Sequence, residues 1–305
     1  MERETKVYFD APEPVEITAR AEQVGVKKTA AGPANVFVLA LLAGLFISFG
    51  GISATTATAG VAGTLPFGVT RVLAGAAFMF CLVLVVVTGA ELFTGNTLMV
   101  VAWANRRITI ISVLENWAVV YAGNFVGSVA TALLMFFTGQ YTFGKGAVGA
   151  AALSIANLKV SFGFGQAVAL GILANILVCM AVWLSYSART TTDRIFSIIL
   201  PISAFVAAGF EHSIANMYLV PIGLFIKAGA PGAFWADIGK TPGAFPDLTW
   251  AGFLWKNLLP VTIGNIIGGS LVVGLAYWFA FLRQGKPGEA RIAQMEIKSA
   301  QEPAV

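Results

Sequence analysis

Charged residues divide the chain into long apolar runs. None occurs between Lys28 and Arg71, Glu115 and Lys145, Lys159 and Arg189, or Lys256 and Arg283. Two further runs are interrupted once each, Arg71 to Arg106 by Glu91 and Arg194 to Lys227 by Glu211. A helix crossing the hydrocarbon core needs about 20 apolar residues. Each run therefore predicts one span, near 36–60, 72–104, 109–137, 160–187, 195–226 and 252–282. The second and fifth are too long for one straight crossing and carry their carboxylate near the middle. That pattern predicts two half-spans joined by non-helical backbone, which membrane depth tolerates only where protein or a cavity satisfies the freed groups.

Composition agrees with this pattern. Of 305 residues 57% are hydrophobic and 11% charged, against about 25% charged in soluble domains, and the mean hydropathy is +0.81. Such a surface cannot be solvated all round, so a soluble enzyme is excluded. The 33 glycines follow no triplet period, and two cysteines, Cys81 and Cys179, both inside apolar spans, give no disulfide framework. The net charge of +4 is spread along the chain, without the basic, aromatic-interleaved run that nucleic acid would need.

The basic residues of the loops orient the spans. Both short inner turns, Arg106-Arg107 and Arg189 to Arg194, carry paired basic residues, and Arg3, Lys6, Arg20, Lys27, Lys28, Arg283, Lys286, Arg291 and Lys298 join them. Both termini are expected inside. The segment 1–28 has no early apolar core, so no signal peptide is expected, and 14–29 can form a short interfacial or cytosolic leader helix.

Two echoes tie the halves together. Gly89, Glu91 and Asn96 repeat as Gly209, Glu211 and Asn216, both G-x-E-x-x-x-x-N. Gly123-Asn124 with Gly127 repeats as Gly264-Asn265 with Gly268, both G-N-x-x-G. Three spans per half make the second half enter from the opposite side, which predicts a 3+3 inverted repeat with its site between discontinuous helices at mid-membrane. The glycines of G-N-x-x-G suit close helix packing, with Asn124 and Asn265 bonding across helices.

The breaks hold the chemistry. Glu91 and Glu211 as bare carboxylates would repel an anion drawn to the half-helix dipoles, so each is expected to turn away and accept from the freed backbone of its loop. His212 is the single histidine. It falls in the fifth-span break beside Glu211 and opposite Thr94, where a group that titrates near neutral pH can pass a proton to a weak-acid anion. Lys159 opens the fourth span, as either an interfacial anchor or a charge that concentrates anions. Phe78, Leu82, Leu92 and Phe205 flank the breaks as core packing or as apolar constrictions. Metal binding is not expected, because no second histidine or cysteine lies at ligand spacing.

The segments 89–96 and 209–217 resemble the two characteristic motifs of the formate/nitrite transporter family. Gly171 to Trp183, Leu200 to Gly209 and Val261 to Gly269 are similar to further segments of it, and the likeness runs from about residue 35 to 282. The resemblance implies an aquaporin-like six-helix bundle assembled as a homopentamer, with one pathway per protomer. It implies His212 as the central protonatable group, Thr94 as its partner across the pathway, Lys159 as the anion-attracting charge and Asn175 nearby. Leu82, Leu92, Phe78 and Phe205 become the constrictions, and Glu91, Glu211, Asn96, Asn216 and Asn265 orient the break loops. The sequence departs from some formate channels at Val160 and Ser161, where they carry a histidine pair, and Glu91-Leu-Phe-Thr94 is more like nitrite members.

The expected organisation is a cytosolic segment 1–28, a six-helix domain 29–283 with repeats 36–137 and 160–282, and a cytosolic tail 284–305. The expected function is not enzymatic and needs no cofactor. It is proton-linked passage of formate across a prokaryotic inner membrane, the lipid bilayer being the protein's surroundings. Nitrite or hydrosulfide transport by the same fold, or a water or neutral-solute pore, are the alternatives.

Overall fold

A computed structural model describes residues 11–61 and 63–283. The predicted tail 284–305, with Lys286, Arg291 and Lys298, lies outside the described residues, as do Arg3 and Lys6. The described residues form helices and connecting turns, without a strand.

In chain order the main helices, short turns aside, are α1 (Pro14–Ala30), α2 (Pro33–Ala57), α3 (Phe67–Thr88), α4 (93–104), α5 (Ile110–Phe137), α6 (Ala147–Lys159), α7 (Phe164–Ser187), α8 (Thr191–Ala208), α9 (Ser213–Gly229) and α10 (Gly252–Phe281). Six of them, α2, α3, α5, α7, α8 and α10, are long and apolar enough to cross a membrane. Their starts follow local chemistry. Proline at the first turn opens α1 and α2, where a missing N–H costs nothing. At α8, Thr190 Oγ1 accepts from Asp193 N at 3.1 Å while the Asp193 carboxylate accepts from Thr190 N at 2.9 Å, a reciprocal cap. In α10 two π-helical stretches, Gly252–Leu258 and Ile267–Leu275, flank an α-helical segment that carries Asn265.

Two features differ from the sequence reading, and a third adds to it. Lys159 does not open the fourth span: it ends α6, a helix within the stretch read as an outer loop, and α7 starts only at Phe164. The apolar run across 160–187 concealed the turn at 160–163, where Gly163 adopts extended backbone before α7. The leader helix is present and docked, burying Thr18, Ala21, Glu22 and Gly25. Glu22 accepts from Asn105 Nδ2 at 2.5 Å and pairs with Arg107 at 3.3 Å, which ties α1 to the turn after α4.

Helix α2 packs along α5, α10 along α7, and α9 against α5 and α6, while α3 and α8 pack on each other. Glycines set the closest approaches. A Cβ at Gly123 or Gly127 would strike α2 at Ala40 and Leu41, and one at Gly264 or Gly268 would strike the α7 backbone at Val168 and Ile172. At the start of α10, Lys256 Nζ donates to Asp247 at 2.8 Å and holds that carboxyl below the usual carboxylate range.

Candidate functional site

The ends of α3 and α8 are built alike. Gly89 (φ +77°) and Gly209 (φ +81°) end them in the left-handed region, which glycine enters without steric cost. Three non-helical residues follow before α4 and α9 begin at Phe93 and Ser213. Glu91 N donates to Leu39 O at 3.2 Å, and Glu211 N to Leu170 O at 3.3 Å.

Two buried asparagines take up further backbone groups. Asn124 Oδ1 accepts from Phe93 N at 2.9 Å, and its Nδ2 donates to Ala40 O and Glu91 O at 2.7 and 2.9 Å. Asn265 Oδ1 accepts from Ser213 N at 2.9 Å, and its Nδ2 donates to Gly171 O and Glu211 O at 2.8 and 3.0 Å.

Contrary to the expectation from sequence, other helices serve Glu91 N, Phe93 N, Glu211 N and Ser213 N, and the carboxylates do not accept from the backbone of their loops. Each is held instead by a lysine and an asparagine. Glu91 Oε2 accepts from Lys28 Nζ at 2.6 Å and from Asn96 Nδ2 at 2.7 Å. Glu211 Oε1 accepts from Lys159 Nζ at 2.8 Å, and its Oε2 from Asn216 Nδ2 at 2.7 Å and Asn257 Nδ2 at 3.2 Å. Asn96 also donates to Asn116 and Asn216 to Asn257. A buried charge is tolerable when paired and hydrogen-bonded, and both glutamates meet that condition.

Lys28, Asn116 and Asn257 were missed in the sequence. The asparagines carried a signal: Asn116 and Asn257 are separated by the same interval as Asn124 and Asn265, that of the G-N-x-x-G echo. Lys28 carried none, because it precedes Glu91 by 63 positions whereas Lys159 precedes Glu211 by 52.

Between the breaks, Thr94 Oγ1 lies 2.9 Å from His212 Nε2. His212 Nδ1 accepts from Ala215 N at 3.0 Å, capping α9. The hydrogen-bond network so assigns the proton of the neutral ring to Nε2, which donates to the Thr94 hydroxyl oxygen. Asn175 lies behind this pair, fully buried, and its Nδ2 donates to Thr94 O, Thr97 Oγ1 and Asn265 O. It fixes Thr94 and lines neither cavity described next.

A cavity opens on each side of the pair; the two are named for the sides they are expected to face. The outer one, about 370 Å³, is lined by Phe78, Phe205, Lys159, Glu211, His212 and Arg71 among others. The inner one, about 310 Å³, is lined by Leu82, Leu92, Glu91, Asn96, Lys27 and Lys28 among others. They share no lining residue. Phe78 and Phe205 meet edge to face at 5.7 Å, and Phe205 lies 5.9 Å from the His212 ring. The four apolar residues singled out in the sequence are 2–4% exposed and stand where the cavities end. An anion in either cavity meets apolar side chains and then the Thr94–His212 pair.

The family model for formate/nitrite transporters matches residues 15–279. The chain belongs to the formate/nitrite transporter family. Within that family it is 47% identical over 276 residues to the formate channel FocA of Escherichia coli K12, covering 90% of this chain and 96% of that one. It is 41% identical over 262 residues to the formate channel FocA of Haemophilus influenzae, covering 86% and 92%. A solved pentameric formate channel with formate bound superposes with a TM-score of 0.78 at 43% identity, covering 82% of this chain and 98% of that one. Like other formate/nitrite transporters, the protein is an integral membrane protein.

Proposed function

We propose that the protein carries formate through each protomer of a homopentamer, as the names of its relatives suggest. The observation that carries the reading is the Thr94–His212 hydrogen bond between the two breaks, with an apolar constriction and a cavity holding a lysine–glutamate pair on either side. Formate enters a vestibule as an anion. Lys159 and Lys28 cancel the charges of Glu211 and Glu91, which would otherwise repel it. At the pair the anion replaces Thr94 as acceptor of the His212 Nε2–H. A proton taken up by the ring from water allows that Nε2 proton to pass to formate. Formic acid, being neutral, then crosses the apolar septum without the cost of a bare charge in hydrocarbon.

The architecture in this reading is a 3+3 inverted repeat, 36–137 and 160–282, with spans two and five interrupted near mid-membrane. Support comes from the matched hydrogen bonds of Asn124 and Asn265 and of the two lysine–glutamate–asparagine sets. Residues 1–28 and 284–305 face the cytosol, N-in and C-in, across a prokaryotic inner membrane, and 29–283 form the channel domain. Nitrite is the second substrate, favoured by the Glu91-Leu-Phe-Thr94 segment.

Uptake of formate into proteoliposomes at two external pH values, with nitrite as competitor, tests this. Uptake should rise at acid pH, and His212→Phe should abolish that rise. Osmotic swelling with uncharged solutes and indifference to pH would replace the reading with a neutral pore.

A further inference from the structure

The outer vestibule holds one more cation than it holds anions. Its ionised lining residues are Arg71, Lys159 and Glu211. Lys159 is paired with Glu211 at 2.8 Å, and the other carboxylate oxygen is taken by Asn216 and Asn257. That pair presents little net charge to an arriving anion. Arg71 has no ion pair among the described residues. Its Nε donates to Ala207 O at 3.0 Å and its Nη2 to Val206 O. Two of its five N–H donors are thus engaged, and three remain.

Those two bonds also place the guanidinium. Val206 and Ala207 belong to the last turn of α8, whose carbonyl end carries partial negative charge and would repel an anion at the mouth of the break. Arg71 covers it. Gly209 makes the room, since a Cβ there would lie 3.0 Å from Nη2. The inner vestibule has no counterpart. By the interval of the break echo, the position that corresponds to Arg71 is Thr191, and the spare cation inside is Lys27 of α1, a helix that the second half does not repeat.

We propose that Arg71 captures the anion in the outer vestibule, drawing it in with the net charge and holding its two oxygens with the free guanidinium donors. A planar guanidinium suits a small carboxylate or nitrite better than a point charge does. The inference rests on the transport reading, because it names the capture step of that pathway, and it makes the two mouths unequal.

The test is anion flux across planar bilayers, with formate and then nitrite titrated from each side in turn. Arg71→Gln removes the charge and keeps amide donors for the α8 carbonyls. It should raise the half-saturating concentration about three- to ten-fold from one side only, leave plateau flux within about two-fold and flatten the dependence on ionic strength. Arg71→Lys, which keeps the charge but not the planar fork, should restore the ionic-strength dependence and leave a smaller one-sided rise in half-saturation. An unchanged half-saturation, or equal change from both sides, would overturn the assignment, as would a fall confined to the plateau, the mark of a residue that only braces the loop. Size-exclusion chromatography of both variants checks assembly, and Arg71→Lys decides the matter if Arg71→Gln does not assemble. A wild-type protein that conducts neither anion overturns the transport reading, and this inference with it. A conducting wild type indifferent to Arg71→Gln overturns this inference alone.

Discussion

Asn124 and Asn265, one in each half of the chain, make the same three hydrogen bonds to equivalent atoms. Each accepts from the first amide of the helix after a break and donates to the carbonyl of the glutamate two residues earlier. Each also reaches a carbonyl on a neighbouring helix, Ala40 or Gly171. One amide side chain thus satisfies two backbone groups that an unbroken helix would have paired and ties them to a carbonyl of a neighbouring helix, and neither residue has solvent exposure.

Removing that clamp should be costly. Asn265→Ala leaves Ser213 N–H and the Glu211 carbonyl without partners, and an unsatisfied buried group costs about 1–3 kcal/mol. The apparent melting temperature of the detergent-solubilised protein should fall by several degrees, and Asn124→Ala should match it. Wild-type stability in either variant would remove the clamp from the account.

The lysine–glutamate pairs predict coupling. Lys159→Met strands Glu211, which is 3% exposed, and breaking a buried pair costs about 3–5 kcal/mol. Adding Glu211→Gln should return much of that loss. A double variant no more stable than Lys159→Met would show that the pair is not the source of the cost.

The two glycines at the breaks should differ. Alanine in the left-handed region costs about 1–2 kcal/mol, so Gly89→Ala, where a Cβ meets nothing within 4 Å, should lose about that much. Gly209→Ala adds a contact with Arg71 and should unfold at lower temperature than Gly89→Ala. The reverse order would mean that the outer break yields more easily than its contacts imply.

Thr94 should be needed for its hydroxyl. Thr94→Val keeps the shape and removes the partner of His212 Nε2. It should reduce formate uptake about ten-fold or more, while Thr94→Ser stays near wild type. Equal uptake in the valine variant would take Thr94 out of the pathway.

The charge pattern foretold the spans because unpaired Lys, Arg, Asp and Glu are costly at membrane depth. It also marked Glu91 and Glu211 as buried carboxylates while misjudging what they bind. The freed backbone of a break can be served from another helix, and nothing local announces that Asn124 and Asn265 do so. The turn at 160–163 was hidden because its residues are as uncharged as their neighbours. Lys28 was set aside with the polar leader, since its reach to Glu91 depends on α1 folding back against the bundle. Arg71 entered only as the boundary of two apolar runs, since its perch on the α8 carbonyls depends on two helices meeting in space.

His212 Nδ1 ends the first turn of α9 by accepting from Ala215 N, and that nitrogen is also the only basic position on the neutral ring. A second proton on the ring and an intact first turn are therefore alternatives. The number of protons on one side chain is written into the backbone three residues away, so that amide hydrogen exchange at Ala215, followed against pH, reads the occupancy of the proton site without any transported anion present.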